Sequence, residues 1–205
     1  NLSATDFLKG DYQFSGQGGF LSNEGRITGT NADLVAFVAN AMENKGTIEV
    51  PMGTVALAAG NTVTVGISAD GLVSIGVDES TANTMGLSDQ IKNTGTIQAN
   101  GGKVMLTAKA IDGLFDKAIN IAAGSNATSA IVAEDGVVEF VARGDIFNEG
   151  TLKAADVKMT STEGDIEVRS PKIEVTRDVT LTSDKGDLDL DTVMQAPNGS
   201  IYLNA

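Results

Sequence analysis

The sequence predicts an all-β chain wound as a parallel β-solenoid, on three observations. The phrase Asn-x-Gly-x-Ile/Leu occurs four times, as NEGRI at 23–27, NKGTI at 44–48, NTGTI at 93–97 and NEGTL at 148–152. Two strand patterns recur with one period. Val157-x-Met159, Val179-x-Leu181 and Ile201-x-Leu203 fall 22 residues apart in turn, and so do EGDIEV at 163–168 and KGDLDL at 185–190. The apolar residues are mostly small and aliphatic: 41% of 205 residues are hydrophobic but only 4% are aromatic, so a core needs many small, regularly placed side chains. An ordinary sandwich has no reason to hold two strand series to one period. A solenoid does, because each coil adds one strand to each face.

The elements follow in chain order, across a single domain spanning 1–205. Phe7, Tyr12, Phe14 and Phe20 are expected to close the N-terminal end of the core. Each Asn-x-Gly phrase reads as a turn feeding a strand. Asn23, Asn44, Asn93 and Asn148 are expected to bond local backbone or to form a ladder between coils. Gly25, Gly46, Gly95 and Gly150 are expected to take turn conformations closed to residues with a Cβ. Ile27, Ile48, Ile97 and Leu152 then point inward at the start of the next strand. Val35 and Phe37 in DLVAFVA and Val55 and Leu57 in GTVALAA are counterparts 20 residues apart.

Two stretches break the rhythm. Residues 61–92 read as an insertion with a hairpin around Asp70-Gly71 and a short helix in ESTANTMGLSDQI. Residues 109–135 read as a second insertion with a short helix, because Ile111, Leu114, Phe115 and Ala118 are helically spaced. In the last third, alternation puts Ile166, Val168, Leu188 and Leu190 inside and Asp165 and Glu167 outside. With coils of roughly 20 residues, about nine coils or fewer are expected, stacked at about 4.8 Å.

Composition narrows the chemistry. A net charge of −13 repels phosphate backbones and lacks the basic footprint of a nucleic-acid binder. With no His and no Cys, Ser-His-Asp and Cys-His nucleophiles, imidazole–thiolate zinc sites and disulfides are excluded. Asp184, Asp187, Asp189 and Asp191 are the most tempting acids, since polysaccharide-cleaving enzymes occur among parallel β-solenoids. The last three lie along one exposed stripe, however, whereas acid–base work needs a pair in unlike environments within a groove. The expectation is a solvated face with no catalytic residue, cofactor or metal site. SGQGGF at 15–20 lacks the Gly-Lys-Ser/Thr ending of a phosphate loop. Asn126 in NATS and Asn198 in NGS match a glycosylation acceptor pattern, which is common by chance. No secretory signal and no stretch of membrane-spanning length is visible, and a first residue of Asn suggests a piece of a longer protein.

SATDFLKGDYQFSGQGG, NEGRITG, NKGTIEVPMGTVALAAGNTVTV and IKNTGTIQANGGKVMLTAKAI, in that order over roughly residues 3–118, resemble the N-terminal secretion domain of filamentous-haemagglutinin-like proteins, the exported partners of two-partner secretion systems. The resemblance implies a right-handed parallel β-helix in a bacterial surface or secreted protein. It also implies recognition of the parent protein by an outer-membrane transporter, and fibres that serve adhesion. The upstream Asn-Pro-Asn-Gly type motif of that family is not among residues 1–205. The favoured expectation is therefore a non-enzymatic extracellular scaffold or adhesin segment that self-associates or stacks on adjacent β-helix segments, with a surface glycan or protein as possible target. A secretion-recognition domain and a carbohydrate-processing β-helix are the alternatives.

Overall fold

Short aliphatic runs with polar alternates form strands that are stable only when both edges are paired and one face is buried. Here stacking supplies both. The computed structural model describes residue 5 and residues 12–15, 19–67, 73–84, 86–122 and 129–205. The described chain winds as a right-handed parallel β-helix, with a 7-stranded sheet along its first face. Each of its seven coils crosses three faces in turn. Coil 1 comprises Phe20–Asn23, Arg26–Thr28 and Leu34–Ala39; coil 2 comprises Ala41–Asn44, Thr47–Glu49 and Thr54–Ala59. Coil 3 comprises Asp89–Asn93, Thr96–Gln98 and Lys103–Ala108. Coil 4 comprises Lys117–Ile121 and the long strand Ala130–Ala142, and coil 5 Ile146–Asn148 and Thr151–Ser161; each long strand bends across the second and third faces. Coil 6 comprises Ile166–Val168, Ile173–Val175 and Val179–Ser183, and coil 7 Leu188–Leu190, Met194–Gln195 and Ile201–Asn204.

Register turns the periodic residues into columns. Ile27, Ile48, Ile97, Ile131, Leu152, Ile173 and Met194 stack on the second face. Val35, Val55, Val104, Val138, Val157, Val179 and Ile201 stack on the third. Ile91, Ile119, Ile146, Ile166 and Leu188 stack on the first. The columns meet in one core, in which Phe140 is the largest fully buried side chain. Each buried Val, Leu or Ile contributes about 1.5–3 kcal/mol. The inner members Ile48, Ile97, Leu152, Val157, Met159, Ile166, Val168, Val179 and Leu181 are at most 1% exposed.

The end coils depart from that pattern. Ile27, Leu188 and Leu190 are only half-buried. Ile201 and Leu203 keep the register of Val179 and Leu181 yet are 43% and 51% exposed, because no described strand stacks on them. They extend the core columns without being core.

The stretch 61–92 contains an antiparallel hairpin, Thr62–Ile67 with Val73–Glu79; the expected turn at Asp70-Gly71 lies outside the described residues. Tyr12–Ser15 adds a third strand to it. This layer lies over the outer side of the third face, where Ala58, Val63 and Val65 form a second core with Tyr12, Phe14, Leu34, Val38, Val73, Ile75 and Val77. Tyr12 and Phe14 therefore pack as part of the hairpin layer against the third face rather than close the end of the main core; Phe20 is 46% exposed, and Phe7 lies outside the described residues. Double-sided burial also explains TVALAA at 54–59: Val55 and Leu57 face the main core, while Ala56 and Ala58 face the hairpin side. A strand covered on both faces reads as a continuous apolar run.

Neither expected short helix is present among the described residues of its stretch. After Gly113 (φ +70), Lys117–Ile121 is a first-face strand paired to coils 3 and 5, with Ile119 and Ile121 inside. Pairing on both edges outweighs the helical spacing of Ile111, Leu114, Phe115 and Ala118. Residues 109–135 consequently include a strand of coil 4 and the start of the next, rather than forming an insertion outside the stack. In 79–91, the final residues from Asp89 already belong to coil 3.

Candidate functional site

The corners hold the stack in register. Asn23 Nδ2 donates to Asn44 Oδ1 and Asn44 Nδ2 to Asn93 Oδ1, both at 2.7 Å, within the corner between first and second faces. Asn93 and Asn148 each close their own turn, donating to Gly95 O at 3.1 Å and Gly150 O at 3.2 Å. Ile121 stands between them in the column, so the ladder stops at coil 3. The adjoining glycines differ from the sequence-based expectation. Gly25, Gly46, Gly95 and Gly150 are not in the left-handed region. A Cβ on Gly46 would lie 2.0 Å from Gly25 O, on Gly95 2.1 Å from Gly46 O, and on Gly150 2.4 Å from Ser129 Oγ. Close approach of successive coils, not turn dihedrals, demands glycine there.

At the corner entering the first face, carboxylates take the asparagines' role. Asp165 N–H donates to Asp145 Oδ1 at 2.9 Å, and Asp187 N–H to Asp165 Oδ1 at 2.8 Å. Ser161 and Ser183 hydroxyls donate to Gly144 O and Gly164 O at 2.9 Å and 2.8 Å.

The predicted acidic stripe is exposed and part of a charge-paired surface. Asp184, Asp187, Asp189 and Asp191 all face solvent. Arg169, from coil 6, reaches Glu167 at 2.9 Å, Asp189 at 2.5 Å and Asp191 at 3.9 Å, and Glu167 first among these raises its pKa. Lys185 pairs with Glu163 at 2.7 Å and holds that carboxyl below its usual range. Arg177 does the same for Asp156 across 2.5 Å. Apart from Glu167 beside Arg169, these partners were missed because they lie one coil away; the 22-residue period could have found them, since it brings 163 beside 185. Asn198 is exposed, whereas Asn126 lies outside the described residues.

A shallow trough of about 240 Å³ crosses coils 4–7 on the second face. It forms where the long strand of coil 4 slips register between Ala133 and Val137, with Asp135 at φ +60. Its walls pair Lys153 with Glu134 at 2.6 Å and Lys172 with Glu174 at 2.9 Å, over Ala154 and Val175. Lys172 depresses the Glu174 pKa, the opposite of what a general acid needs. The trough offers both charge signs to an extended polar ligand. Among the described residues, no group of three or more His, Cys, Asp or Glu is placed to hold a metal ion.

Gln90 is an architectural residue that pattern reading passed over. Its side chain is fully buried where the hairpin excursion rejoins the stack. Its Nε2 lies 3.0 Å from Lys109 O, 3.1 Å from Ala59 O, 3.3 Å from Asn40 O and 3.4 Å from Thr81 Oγ1. One amide thereby ties the ends of coils 2 and 3 to the corner between coils 1 and 2. No described helix is long and apolar enough to cross a membrane. Comparison of the chain with family models and with curated proteins returns no match.

Proposed function

We propose that this chain is a non-enzymatic structural segment of an exported bacterial surface or secreted fibre protein, of the filamentous-haemagglutinin-like type. The observation that carries the reading is the in-register stack itself. Its inside is a continuous aliphatic core, and its corners repeat Asn, Gly, Ser and Asp contacts from coil to coil. That is the construction of a rigid, elongated platform whose outer side chains are free to vary. The acids most suggestive of glycan cleavage support the same reading: Asp189 and Asp191 are engaged with Arg169 on an open face. The order of motifs over residues 3–118 supports export through a dedicated transporter and an adhesive role, with the paired-charge trough as the surface that meets a glycan or protein.

Two measurements test this. Immunolabelling and fractionation of cells producing the parent protein should find it on the outer surface or in the medium; retention in the cytoplasm overturns the export reading. A panel of acidic and neutral polysaccharides should survive incubation with the chain. Reproducible turnover that disappears in Asp187→Asn or Asp189→Asn would establish a carbohydrate-processing enzyme instead.

A further inference from the structure

We propose that a small cavity on the first face, where the chain enters coil 3, binds an alkylguanidinium cation such as the side chain of an arginine on a partner protein. The cavity is separate from the trough and from the acidic stripe. Its lining comes from coils 1–3 and from the segment that leads into coil 3.

The starting point is Asp89. This residue is only 7% exposed, yet it lines an open space of about 100 Å³. Its hydrogen bonds all fall on one oxygen: Asn120 Nδ2 donates to Oδ2 at 3.0 Å and Ser88 Oγ donates to it at 3.2 Å. Lys92 approaches the same oxygen, at 3.5 Å. Asp89 Oδ1 accepts no hydrogen bond among the described residues and is not sealed from solvent. A largely buried carboxylate with one unsatisfied oxygen is costly, and a donor seated in the cavity relieves that cost.

The remaining lining selects the donor. Glu43 brings a second carboxylate, so two carboxylates stand against the single ammonium of Lys92. Lys45, which pairs with Glu43 at 3.1 Å, is not part of the lining. That balance favours a cation over an anion. Phe20, Met42 and Leu87 supply the apolar surface, and Phe20 is 46% exposed. A guanidinium suits this set better than an ammonium does. It is planar and weakly hydrated, so it can lie against an aromatic ring while its forked donors reach carboxylates. Sites for whole small molecules are usually about 300–1,000 Å³, so this space suits a single side-chain head. The net charge of −13 draws a basic partner toward it.

Amide NMR titration of the isotope-labelled 205-residue chain with butylguanidinium tests the proposal. The expected result is a saturable shift confined to the amides around Phe20, Met42–Glu43 and Leu87–Lys92. Asp89→Asn, which keeps the shape of the side chain, should weaken binding by about tenfold or more. Phe20→Ala should weaken it by about threefold, and it keeps the test open if Asp89→Asn fails to fold. A blocked Gly-Arg-Gly peptide decides the source. Binding of both probes assigns the site to an arginine side chain, and binding of butylguanidinium alone assigns it to a free guanidinium compound. Absence of a saturable shift overturns the proposal, as do shifts spread equally over Asp184–Asp191. So does binding that neither variant weakens, or butylammonium binding as tightly as butylguanidinium. Those outcomes leave surface location and absence of turnover, on which the scaffold reading stands, untouched.

Discussion

One methyl group at Gly46 separates two explanations of the repeated phrase. If glycine served only turn dihedrals, Gly25→Ala and Gly46→Ala would behave alike. Because the Gly46 Cβ would lie 2.0 Å from a backbone oxygen and the Gly25 Cβ 4.0 Å from its nearest neighbour, they should not. Gly46→Ala should cost about 2 kcal/mol or more, and Gly25→Ala about 0.5 kcal/mol or less, in urea melts of the monomer. Equal losses would return the explanation to the turn. Ile166 is fully buried, so Ile166→Asp puts an acid into the core. It should exceed Glu167→Ala in destabilisation by about 2 kcal/mol or more. Gln90→Leu removes a buried donor from the carbonyls of Asn40, Ala59 and Lys109, which keep Thr81 Oγ1, the Lys109 N–H and the Thr81 N–H respectively, for a loss of about 0.5–1.5 kcal/mol. A Gln90→Leu variant as stable as the native chain would show that the donors those carbonyls keep are enough. The Asn-x-Gly residues were legible because they repeat; Gln90 was not, because its partners come from three separate coils.

At the scale of elements, the hairpin layer is the part that can be separated from the rest. Val63 packs in the second core and not in the main one. Val63→Asp should therefore release amide protection across 62–67 and 73–79 while coils 4–7 keep theirs. Loss of protection throughout the stack would mean that the layer is needed for the β-helix to form. The corner between second and third faces makes a pH prediction. Arg177 lowers the folded-state pKa of Asp156 relative to its ordinary 3.8. A depressed carboxyl contributes stability that is fully present above its unfolded-state pKa and is lost as pH falls through the folded value. The melting difference between the native chain and Arg177→Ala should hence be constant near neutrality and shrink only below the ordinary aspartate range. A difference that grows on acidification would contradict the pairing.

For the whole molecule, each coil touches mainly its neighbours, so stability should vary along the stack. Hydrogen exchange should be fastest at Ile201–Asn204, whose apolar residues are exposed, and slowest at Lys103–Ala108 and in Ala130–Ala142, which have a paired strand on both sides. Uniform exchange would indicate one cooperative unit instead. The paired outer charges keep many of the acids close to a cation despite the net −13. Melting of the monomer should accordingly respond only weakly to salt, since exposed ion pairs contribute little.

Periodicity alone was enough for the solenoid, the shared register of 157, 179 and 201, and its outward acids, because side-chain alternation and coil length are local properties written along the chain. Alternation around Asp70-Gly71 marked VTVGISADGLVSIGV as a hairpin, and the structure puts its strands at Thr62–Ile67 and Val73–Glu79. Whether Lys117–Ile121 became helix or strand depended on Asp89–Asn93 and Ile146–Asn148 offering edges on both sides, contacts no local window contains. The reason for the corner glycines, the carbonyls gathered around Gln90 and the cations beside each outer acid likewise exist only between coils. Backbone approach and charge pairing across a stack are set by the neighbours that winding brings together, and those neighbours are settled by tertiary structure.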